Sequence, residues 1–339
     1  MALVNQRWTL ARFPVGLPTP SDFKLVTEEV RELEANEILL ENRFISVDPG
    51  QRHFIEQANG LTSLGDTVPA WVVASVADSR SDSFPVGSFA RDVMGQGGVQ
   101  KYAIVPASVL VPVAATAPLS WYAGALGMSG QTGYFGLLDV GRPVAGETVL
   151  VSGATGAVGS VAAQIARILK CRVVGLARGA EKTERLLSEF RLDAAIDLES
   201  EPLAAALTEK CPDGVDLFVD NVGGAILEEA LLHMRFGGRI VSPGMMTLYN
   251  RTEGLPGLRN YEQMFARCLR WQGVSVAAYV DRYQEAAAQL EAWVRAGELV
   301  FDEYVEQGLE RFPAMLDTLF RHRPVGKMIL QVSGDPAES

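Results

Sequence analysis

The chain has 339 residues, of which 48% are hydrophobic and 21% are charged, a composition that indicates a globular protein and excludes a disordered or collagen-like chain. Its formal net charge at pH 7 is −11. Because this charge repels phosphate backbones and anionic lipid heads, we expect neither nucleic acid nor a membrane among its partners.

The three cysteines, Cys171, Cys211 and Cys268, lie far apart in the sequence. Their odd number and their spacing give neither a disulfide framework nor a Cys-x-x-Cys pair, which favours a cytoplasmic location. The first residues contain no apolar stretch of the secretory kind. Residues 102–138 carry no charge, but prolines and glycines interrupt every candidate membrane helix there, so this segment is predicted to be buried core.

In chain order, the first 120 residues or so show short β-like runs separated by turn residues, which predicts a β-rich half. These runs are residues 23–30, 37–47, 71–77 and 102–106. From residue 147 onward strands alternate with helices, a pattern typical of parallel βαβ units. The predicted strands are 148–152, 172–176, 217–219 and 239–242, and the predicted helices are 160–169 and 181–190. The end of the chain predicts a strand at 299–307, a helix at 312–320, a strand at 327–332 and a frayed tail from residue 334.

The most informative motif is a glycine-rich turn between a predicted strand and a predicted helix. Gly153, Gly156 and Gly159 let the backbone amides at the start of that helix approach a pyrophosphate, whose charge the helix dipole favours. A strand before the turn and a helix after it form the context in which this motif binds a dinucleotide. The alternative is a tight turn that binds no ligand.

The end of the second strand indicates which dinucleotide is bound. An NAD-binding protein carries an acidic residue there for the ribose 2′-hydroxyl, whereas residues 177–180 of this chain include no acid. Arg178 and Lys182 suit a 2′-phosphate, so the sequence predicts NADPH over NADH. The alternative is that both are solvated surface cations.

Two later loops also follow predicted strands. They are residues 220–224, which include Asn221, and residues 242–250, which include Gly244 and Tyr249. Loops at the carboxyl ends of parallel strands form the ligand crevice in such sheets. We therefore expect both loops to line the same site as the glycine-rich turn, although ordinary turns would use these glycines as well.

Several other chemistries lack their residues in this chain. Its three cysteines and its three histidines, His53, His233 and His322, include no pair at metal-ligand spacing, so no metal site is predicted. The motifs of zinc metalloproteases, serine hydrolases and P-loop proteins are absent.

With these residues in view, the chain resembles the zinc-independent medium-chain dehydrogenase/reductases, in particular the branch of NADPH-dependent alkenal/one double-bond reductases and prostaglandin reductases. The matching stretches run in order along nearly the whole chain: residues 12–18, 45–49 with Arg52, 127–136, 153–160, 220–224, 249–251 and 326–327. The resemblance implies an α/β fold with a GroES-like β-rich domain, residues 1–122 and 300–339, and an inserted Rossmann domain with a doubly wound parallel sheet, residues 123–299. It also implies NADPH as the cofactor and a homodimer, for which an edge strand at 273–277 would be available.

By position, the resemblance also implies roles for single residues. The cofactor contacts it implies are Gly156, Ala157 and Val158 at the pyrophosphate, Lys182 at the 2′-phosphate, Met128 and Thr132 near the nicotinamide, and Asn221 along the cofactor. Tyr249 would lie by the ribose and the substrate oxygen, the alternative being a wall residue that only packs on the cofactor. Gly50, Arg52 and Met128 join Tyr249 in the expected substrate pocket.

Four positions depart from the pattern of this family. Gly50 and Leu198 stand where tyrosines are expected, Arg178 replaces a small residue, and Pro324 replaces an asparagine that usually faces the cofactor. Arg178 can supply the phosphate contact that Leu198 cannot. The absence of a tyrosine at Gly50 opens the pocket and leaves the substrate class undecided.

The expected activity is reduction of the C=C bond of an α,β-unsaturated aldehyde or ketone by hydride transfer from NADPH to the β-carbon, without a metal. Tyr249 would hold the developing enolate oxygen. Three alternatives remain: a zinc-free NADPH quinone reductase, an NADPH-binding sensor without turnover, and a zinc-free dehydrogenase of a hydroxy-lipid.

Overall fold

The computed structural model describes residues 2–254, 256–321 and 325–334. The chain divides into two compact units, one made of Met1–Met128 with Glu303–Ser339 and the other of Ser129–Asp302. The first unit is therefore built from both ends of the chain, and the second is inserted between them. Of the residues singled out above, His322 and Pro324 lie outside the described residues.

The amino-terminal segment is rich in strands, as its runs of β-like residues predict. The strands are β1 (Val4–Leu10), β2 (Phe23–Glu29), β3 (Glu37–Ser46), β4 (Val72–Ser79), β5 (Phe89–Asp92), β6 (Tyr102–Pro106) and β7 (Leu110–Val113). Two short helices accompany them, α1 (Gln51–Phe54) and α2 (Leu119–Ala123). The uncharged segment 102–138 thus forms strands and short helices rather than one long helix.

The inserted unit alternates helices and strands. Its helices are α3 (Met128–Phe135), which begins at the last residue of the first unit's amino-terminal part, α4 (Gly159–Ile168), α5 (Ala180–Ser188), α6 (Leu203–Lys210), α7 (Ala225–His233), α8 (Gln263–Ala266) and α9 (Tyr283–Arg295). Its strands are β8 (Thr148–Val151), β9 (Arg172–Ala177), β10 (Ala194–Asp197), β11 (Val215–Val219), β12 (Met234–Ser242) and β13 (Arg270–Gly273). All pair in parallel in the order β10-β9-β8-β11-β12-β13.

Successive residues of these strands point to opposite faces of the sheet, and both faces are covered. Leu150, Val174 and Phe218 join a core cluster with residues of α6 and α7. Gly175, the next residue after Val174, faces the other way: a Cβ built there would lie 2.8 Å from a methyl group of Leu186 on α5. Helices on both faces of a parallel sheet make the doubly wound fold, so the predicted fold class is confirmed.

The chain then returns to the first unit through β14 (Glu303–Gln307), α10 (Phe312–Arg321) and β15 (Lys327–Gln331). β15 pairs antiparallel with β3, with Leu330 opposite Ile45, and parallel with β14. The resulting seven-stranded sheet has the order β14-β15-β3-β4-β5-β7, with β6 also paired to β3, and β1 and β2 form a separate hairpin.

Two predicted strands are wrong in their limits. The edge strand lies at Arg270–Gly273 rather than 273–277, because its partner β12 ends at Ser242, opposite Gly273. Residues 276–282 instead form a 3-10 helix. The apolar side chain of Val276, which belongs to the predicted strand pattern, is buried in that helix. At 299–307 only the part from Glu303 onward is a strand, since the ladder with β15 begins there. Leu299, at the start of the predicted run, is fully buried outside any strand.

Throughout the part of the chain that the structure describes, every helix is too short or too polar to cross a membrane.

Candidate functional site

The candidate site lies where the inserted unit's sheet changes its winding direction. β8 has β9 on one side and β11 on the other, and the chain proceeds outward from it in both directions. A crevice forms outside the carboxyl ends of the strands at such a switch point, and ligands bind there. The glycine-rich turn, residues 152–158, follows β8, and the loop of residues 220–224 follows β11. The turn and this loop therefore meet at the switch point.

The turn after β8 requires glycine at its last position. Gly153 has φ +60°, in the left-handed region, and accepts a hydrogen bond from the Gly156 amide at 2.9 Å. A Cβ built at Gly159 would lie 2.3 Å from the Gly153 carbonyl oxygen, a distance that no side chain tolerates. At Gly156 the corresponding distance is 3.2 Å. The turn is therefore so tight that α4 begins directly against the backbone of Gly153.

The start of α4 offers unused backbone donors. Val158 is its N-cap residue, and no side chain caps the helix. Among the described residues, the amides of Ala157 and Val158 donate to no carbonyl, and both residues are only half-buried. Exposed amides and the positive end of the helix dipole favour an anion. The residues present therefore fit the pyrophosphate of a dinucleotide.

Helix α3 packs closely against this turn. A Cβ built at Gly133 would lie 2.7 Å from the Val158 carbonyl oxygen and 3.2 Å from the Ala162 amide nitrogen. Thr132, one residue before Gly133, is half-buried. The structure thus places the segment that carries Thr132 beside the glycine-rich turn, whereas Met128 belongs to the other compact unit.

A buried polar network joins the two loops at the switch point. Ser152 Oγ donates to Asp220 Oδ1 at 2.9 Å and accepts the Asn221 amide at 2.9 Å. Asn221 Nδ2 donates to the Ser152 carbonyl at 2.7 Å, and Asp220 Oδ1 also accepts the Gly223 amide. Burial raises the pKa of Asp220, although these hydrogen bonds oppose the rise. The network fixes Asn221 beside the glycine-rich turn.

The third loop is tied onto the second. The Thr247 amide and hydroxyl both donate to the Val222 carbonyl, at 3.1 and 2.7 Å, and the Met246 amide donates to the Asn221 carbonyl at 3.3 Å. Within the loop the Met245 amide donates to Tyr249 Oη at 3.4 Å. The same oxygen lies 3.4 Å from a Cβ built at Gly244. The structure therefore brings Asn221, Gly244 and Tyr249 together.

Arg178 lies in the turn between β9 and α5, and Lys182 follows within α5. Arg178 is exposed, and Lys182 lies in the first turn of α5. Asp197, at the end of β10, holds this turn in place: its Oδ1 accepts the Gly179 amide at 2.7 Å and the Glu199 amide at 3.0 Å. Hydrogen bonds from Glu199 and Gly179 lower the pKa of Asp197. Asp197 is therefore committed to backbone amides, whereas a carboxylate oxygen of Glu199 would lie 3.6 Å from a Cβ built at Gly179.

In the first unit, the predicted pocket residues Gly50 and Arg52 have different environments. A Cβ built at Gly50 meets nothing within 4 Å, so the position has room for a large side chain. Arg52 is only 2% exposed, and its guanidinium donates to the Gly16 carbonyl at 3.1 Å and the Pro14 carbonyl at 3.2 Å. Burial lowers the pKa of Arg52. Its guanidinium therefore holds the loop around Val15.

A buried lysine anchors the turn that precedes Gly50. Lys327 Nζ donates to the Val47 carbonyl at 2.6 Å and to Asp48 Oδ1 at 3.0 Å, and Ser46 Oγ donates to the other Asp48 oxygen. Burial lowers the pKa of Lys327, and the charge of Asp48 opposes that effect.

The sequence alone revealed neither the ion pair of Lys327 with Asp48 nor the hydrogen bonds by which Ser152, Asp220 and Asp197 hold the loops. An acid at the end of a parallel strand, as in Asp197 and Asp220, was the one available signal.

Two histidines lie within the described residues, and neither sits in a metal-binding group. His53 is exposed, and His233 Nε2 lies 3.1 Å from Glu229 Oε1 on the same helix. Across residues 2–254, 256–321 and 325–334, no three His, Cys, Asp or Glu side chains come close enough to share a metal ion.

Comparison with known proteins gives consistent matches along the chain. A family model described as the N-terminal domain of oxidoreductase matches residues 6–113, and one described as zinc-binding dehydrogenase matches residues 157–292. Prostaglandin reductase 1 of Bos taurus is 37% identical over 96% of this chain and 98% of its own length. The NADP(+)-dependent 2-alkenal reductase of Nicotiana tabacum is 35% identical over 97% and 98%.

A solved structure is similar over the same extent. CurA from Vibrio vulnificus, crystallised in complex with NADPH, is 31% identical to this chain. The match covers 97% of this chain and 99% of that one, with a TM-score of 0.89. The similarity therefore includes both compact units.

Proposed function

We propose a function from the premise that this chain belongs to the zinc-independent medium-chain dehydrogenase/reductases, in the branch of the NADPH-dependent alkenal and prostaglandin reductases. The chain is an NADPH-dependent oxidoreductase that reduces the C=C bond of α,β-unsaturated aldehydes and ketones. The observation that supports this most directly is the switch point, where a glycine-rich turn with unused amides meets the loops of Asn221 and Tyr249.

Nearly all of the proposed cofactor contacts belong to the inserted unit, and Met128 belongs to the first unit. Gly153, Gly156 and Gly159 keep the turn open to the pyrophosphate, which the amides of Ala157 and Val158 bind. Arg178 and Lys182 bind the 2′-phosphate. The remaining cofactor contacts are Met128, Thr132, Asn221, Gly244 and Tyr249. We assign residues 123–299 to cofactor binding and residues 1–122 with 300–339 to the substrate.

The chemistry divides between the cofactor and the chain. Bound NADPH supplies the hydride that adds to the β-carbon, and water supplies the proton to the α-carbon. Tyr249 is the catalytic residue: its hydroxyl donates to the carbonyl oxygen as negative charge develops there. A donor already placed by the Met245 amide needs no reorganisation at that moment. A metal is unnecessary, because hydrogen-bond donors polarise the carbonyl.

In the first unit, Gly50 and Arg52 are the residues that we propose for substrate binding. Gly50 provides space where a side chain would otherwise stand, so bulky enones are accepted. Arg52 acts on the pocket through the Pro14–Gly16 loop that its guanidinium holds. Met128 and Tyr249 are the other two residues that the family resemblance implies for substrate binding.

We further propose that the protein is a cytoplasmic homodimer. β13 is the edge strand of its sheet, and its four residues are exposed. Large hydrophobic side chains lie exposed on the same unit, among them Trp271 on β13 and Phe265, which is 91% exposed. An exposed edge strand with exposed aromatic residues is suited to pairing with a second copy. Light scattering should give twice the mass of the chain, and a monomer at micromolar concentration contradicts the dimer.

The activity is tested by following NADPH consumption with enals, cyclic and acyclic enones, quinones and saturated ketones, with mass analysis of every product. We expect a mass gain of two hydrogens with the carbonyl retained for the enals and enones. Turnover of quinones alone would make the protein a quinone reductase, and tight NADPH binding without consumption would make it a sensor. In a parallel assay with NADP+ and a hydroxy-lipid, formation of NADPH without any C=C reduction in the first assay would make it a dehydrogenase.

A further inference from the structure

A buried carboxyl group that the proposed chemistry does not use lies at the switch point of the inserted unit's sheet. Asp220 directly follows β11 and is 1% exposed. Its Oδ1 accepts three hydrogen bonds, from Ser152 Oγ at 2.9 Å, from the Val222 amide at 3.1 Å and from the Gly223 amide at 2.9 Å. Its other oxygen, Oδ2, is buried without a hydrogen-bond partner. One oxygen of this carboxyl group is thus satisfied by the fold, and the other is not.

The three hydrogen bonds do not explain why this residue is an acid. The side-chain oxygen of an asparagine would accept the same three bonds and would bring no charge into the interior. Burial raises the pKa of Asp220, the hydrogen bonds from Gly223, Val222 and Ser152 oppose the rise, and no charged side chain among the described residues contributes to it. A buried carboxylate without a cation is costly, unless a ligand supplies the positive charge.

The order of the strands relates Asp220 to the nicotinamide half of the cofactor. A dinucleotide crosses the crevice at the switch point. In the proposed binding mode the pyrophosphate lies at the turn after β8, and the 2′-phosphate lies at Arg178 and Lys182 after β9, on one side of β8. β11 pairs with β8 on the opposite side, about 4.8 Å away. The other half of the dinucleotide, which ends in the nicotinamide, therefore extends towards the end of β11 and Asp220.

We propose that Asp220 is the internal counter-ion of the oxidised nicotinamide ring. The inference rests on the proposed function and adds an electrostatic role to it. When NADPH gives up its hydride, the electron pair of the broken C–H bond forms the new bond at the β-carbon, the electrons of the C=C bond move to the carbonyl oxygen, and the nicotinamide ring is left with one positive charge. A buried carboxylate stabilises that charge strongly, because little water lies between them. Asp220 therefore favours the oxidised cofactor and with it the reduction of the substrate.

The test compares two dinucleotides of the same shape and different charge. NADP+ carries a positive ring, whereas its analogue with benzamide in place of nicotinamide carries a neutral one, and both have the 2′-phosphate. Calorimetric titration of the parent should give a Kd for NADP+ at least fivefold below the Kd for the analogue. Asp220→Asn keeps the oxygen that accepts the three hydrogen bonds and removes only the charge. In this variant the preference for NADP+ should fall at least fivefold, while the Kd for the analogue changes less than twofold.

The matched control is Asp197→Asn. Asp197 also lies at the carboxyl end of a parallel strand and accepts backbone amides, but on the side proposed for the 2′-phosphate, which both dinucleotides carry. Its replacement should change both Kd values by the same factor. Three results overturn the counter-ion: equal binding of the two dinucleotides by the parent, an unchanged preference in Asp220→Asn, or a loss of preference of the same size in Asp197→Asn. The comparison in the parent needs no variant, so it tests the counter-ion even if Asp220→Asn fails to fold.

Failure of the proposed function gives a different result from failure of the counter-ion. A preference for NADP+ that depends on Asp220, without reduction of any enone, would retain the counter-ion and contradict the proposed activity. Reduction of enones by a parent that binds the two dinucleotides equally would retain the activity and remove the counter-ion. Binding of neither dinucleotide would overturn both.

Discussion

At the scale of single residues, the site depends on side chains whose positions are fixed by backbone groups. The Met245 amide holds the Tyr249 hydroxyl, and the loop of Tyr249 is bonded in turn to the carbonyls of Asn221 and Val222. Asn221 is fixed by Ser152. The Tyr249 hydroxyl is therefore held in place by hydrogen bonds among the three loops that follow the neighbouring strands β8, β11 and β12.

We expect Tyr249→Phe to bind NADPH as the parent does and to lose about 10²–10³ in kcat, the usual cost of removing one donor to a developing oxyanion. The ring and its packing are retained, so only the hydroxyl is lost. Stopped-flow reduction of an enone with saturating NADPH measures the step, and fluorescence titration measures NADPH affinity. Equal rates in both proteins would remove Tyr249 from the mechanism and leave it as a wall residue.

We propose that the two cations after β9, Arg178 and Lys182, determine the choice of cofactor. Replacement of both Arg178 and Lys182 by Ala should raise KM for NADPH at least tenfold, about 1.4 kcal/mol, and leave KM for NADH nearly unchanged. The reason is that only NADPH carries the 2′-phosphate. Steady-state kinetics with both cofactors decides the question, and a parallel loss for both would show that the pair only stabilises the turn.

NADPH as the cofactor was predictable from the sequence, because the glycines and basic residues on which that prediction rests lie close together in the chain. Gly153, Gly156 and Arg178 lie in one βαβ unit, so their order along the chain is enough to predict which strand end each of them follows. The bond between Ser152 and Asp220 joins residues 68 apart, so it depends on the pairing of β8 with β11.

At the scale of secondary-structure elements, the unit of function is the strand, turn and helix from β8 to α4. Helix α4 starts immediately after a turn so tight that its first residue touches the Gly153 carbonyl. Among the described residues, the amides of Ala157 and Val158 just before this contact donate to no backbone carbonyl. If these amides bind the pyrophosphate as we propose, any widening of the turn would weaken that contact.

Gly159→Ala should therefore lower the free energy of unfolding by about 1–3 kcal/mol, the usual cost of overpacking, although alanine is the better helix former. NADPH affinity should fall with it. Chemical denaturation followed by circular dichroism measures the first effect and calorimetry the second. As a control, Gly254→Ala introduces a Cβ that meets nothing within 4 Å and should stay within about 0.5 kcal/mol of the parent. Similar destabilisation in the two variants would contradict the close contact.

The elements that the sequence predicted well are those whose pattern reflects their own burial. β8 is buried at all four positions, and the predicted limits of that strand and of α4 differ from the observed ones by one residue. The edge strand was placed too late because β13 is exposed along its length and has no apolar pattern of its own. Its limits depend on where β12 ends, which is information from another part of the chain.

At the scale of the whole molecule, the first unit is joined from segments at the two ends of the sequence. Lys327 on β15 donates to Val47 and Asp48, residues about 280 positions away. The ion pair is buried, with the lysine side chain only 4% exposed. Breaking such a pair leaves the remaining charge without compensation, which costs more than the pair itself contributes.

Lys327→Met should destabilise the first unit by about 3 kcal/mol, and the double variant Asp48→Asn/Lys327→Met should recover part of that loss. Enone reduction should show a higher KM, because the turn before Gly50 loses its anchor, while the affinity for NADPH stays close to that of the parent. Thermal unfolding and substrate titrations provide both measurements. If the double variant is no more stable than the single one, the pair contributes through packing rather than charge.

The return of the chain to its first unit also determines the order in which the protein can be completed on the ribosome. The second half of β3, at Phe44–Ser46, pairs with β15, so that edge stays open until about 280 further residues have been synthesised. The inserted unit, whose six strands all lie within residues 148–273, can fold in the meantime. An open strand edge in a waiting segment is a template for pairing with other nascent chains. The amino-terminal third of this protein is thus the part that would depend most on chaperones, and a truncation before residue 329 would leave its sheet permanently unfinished.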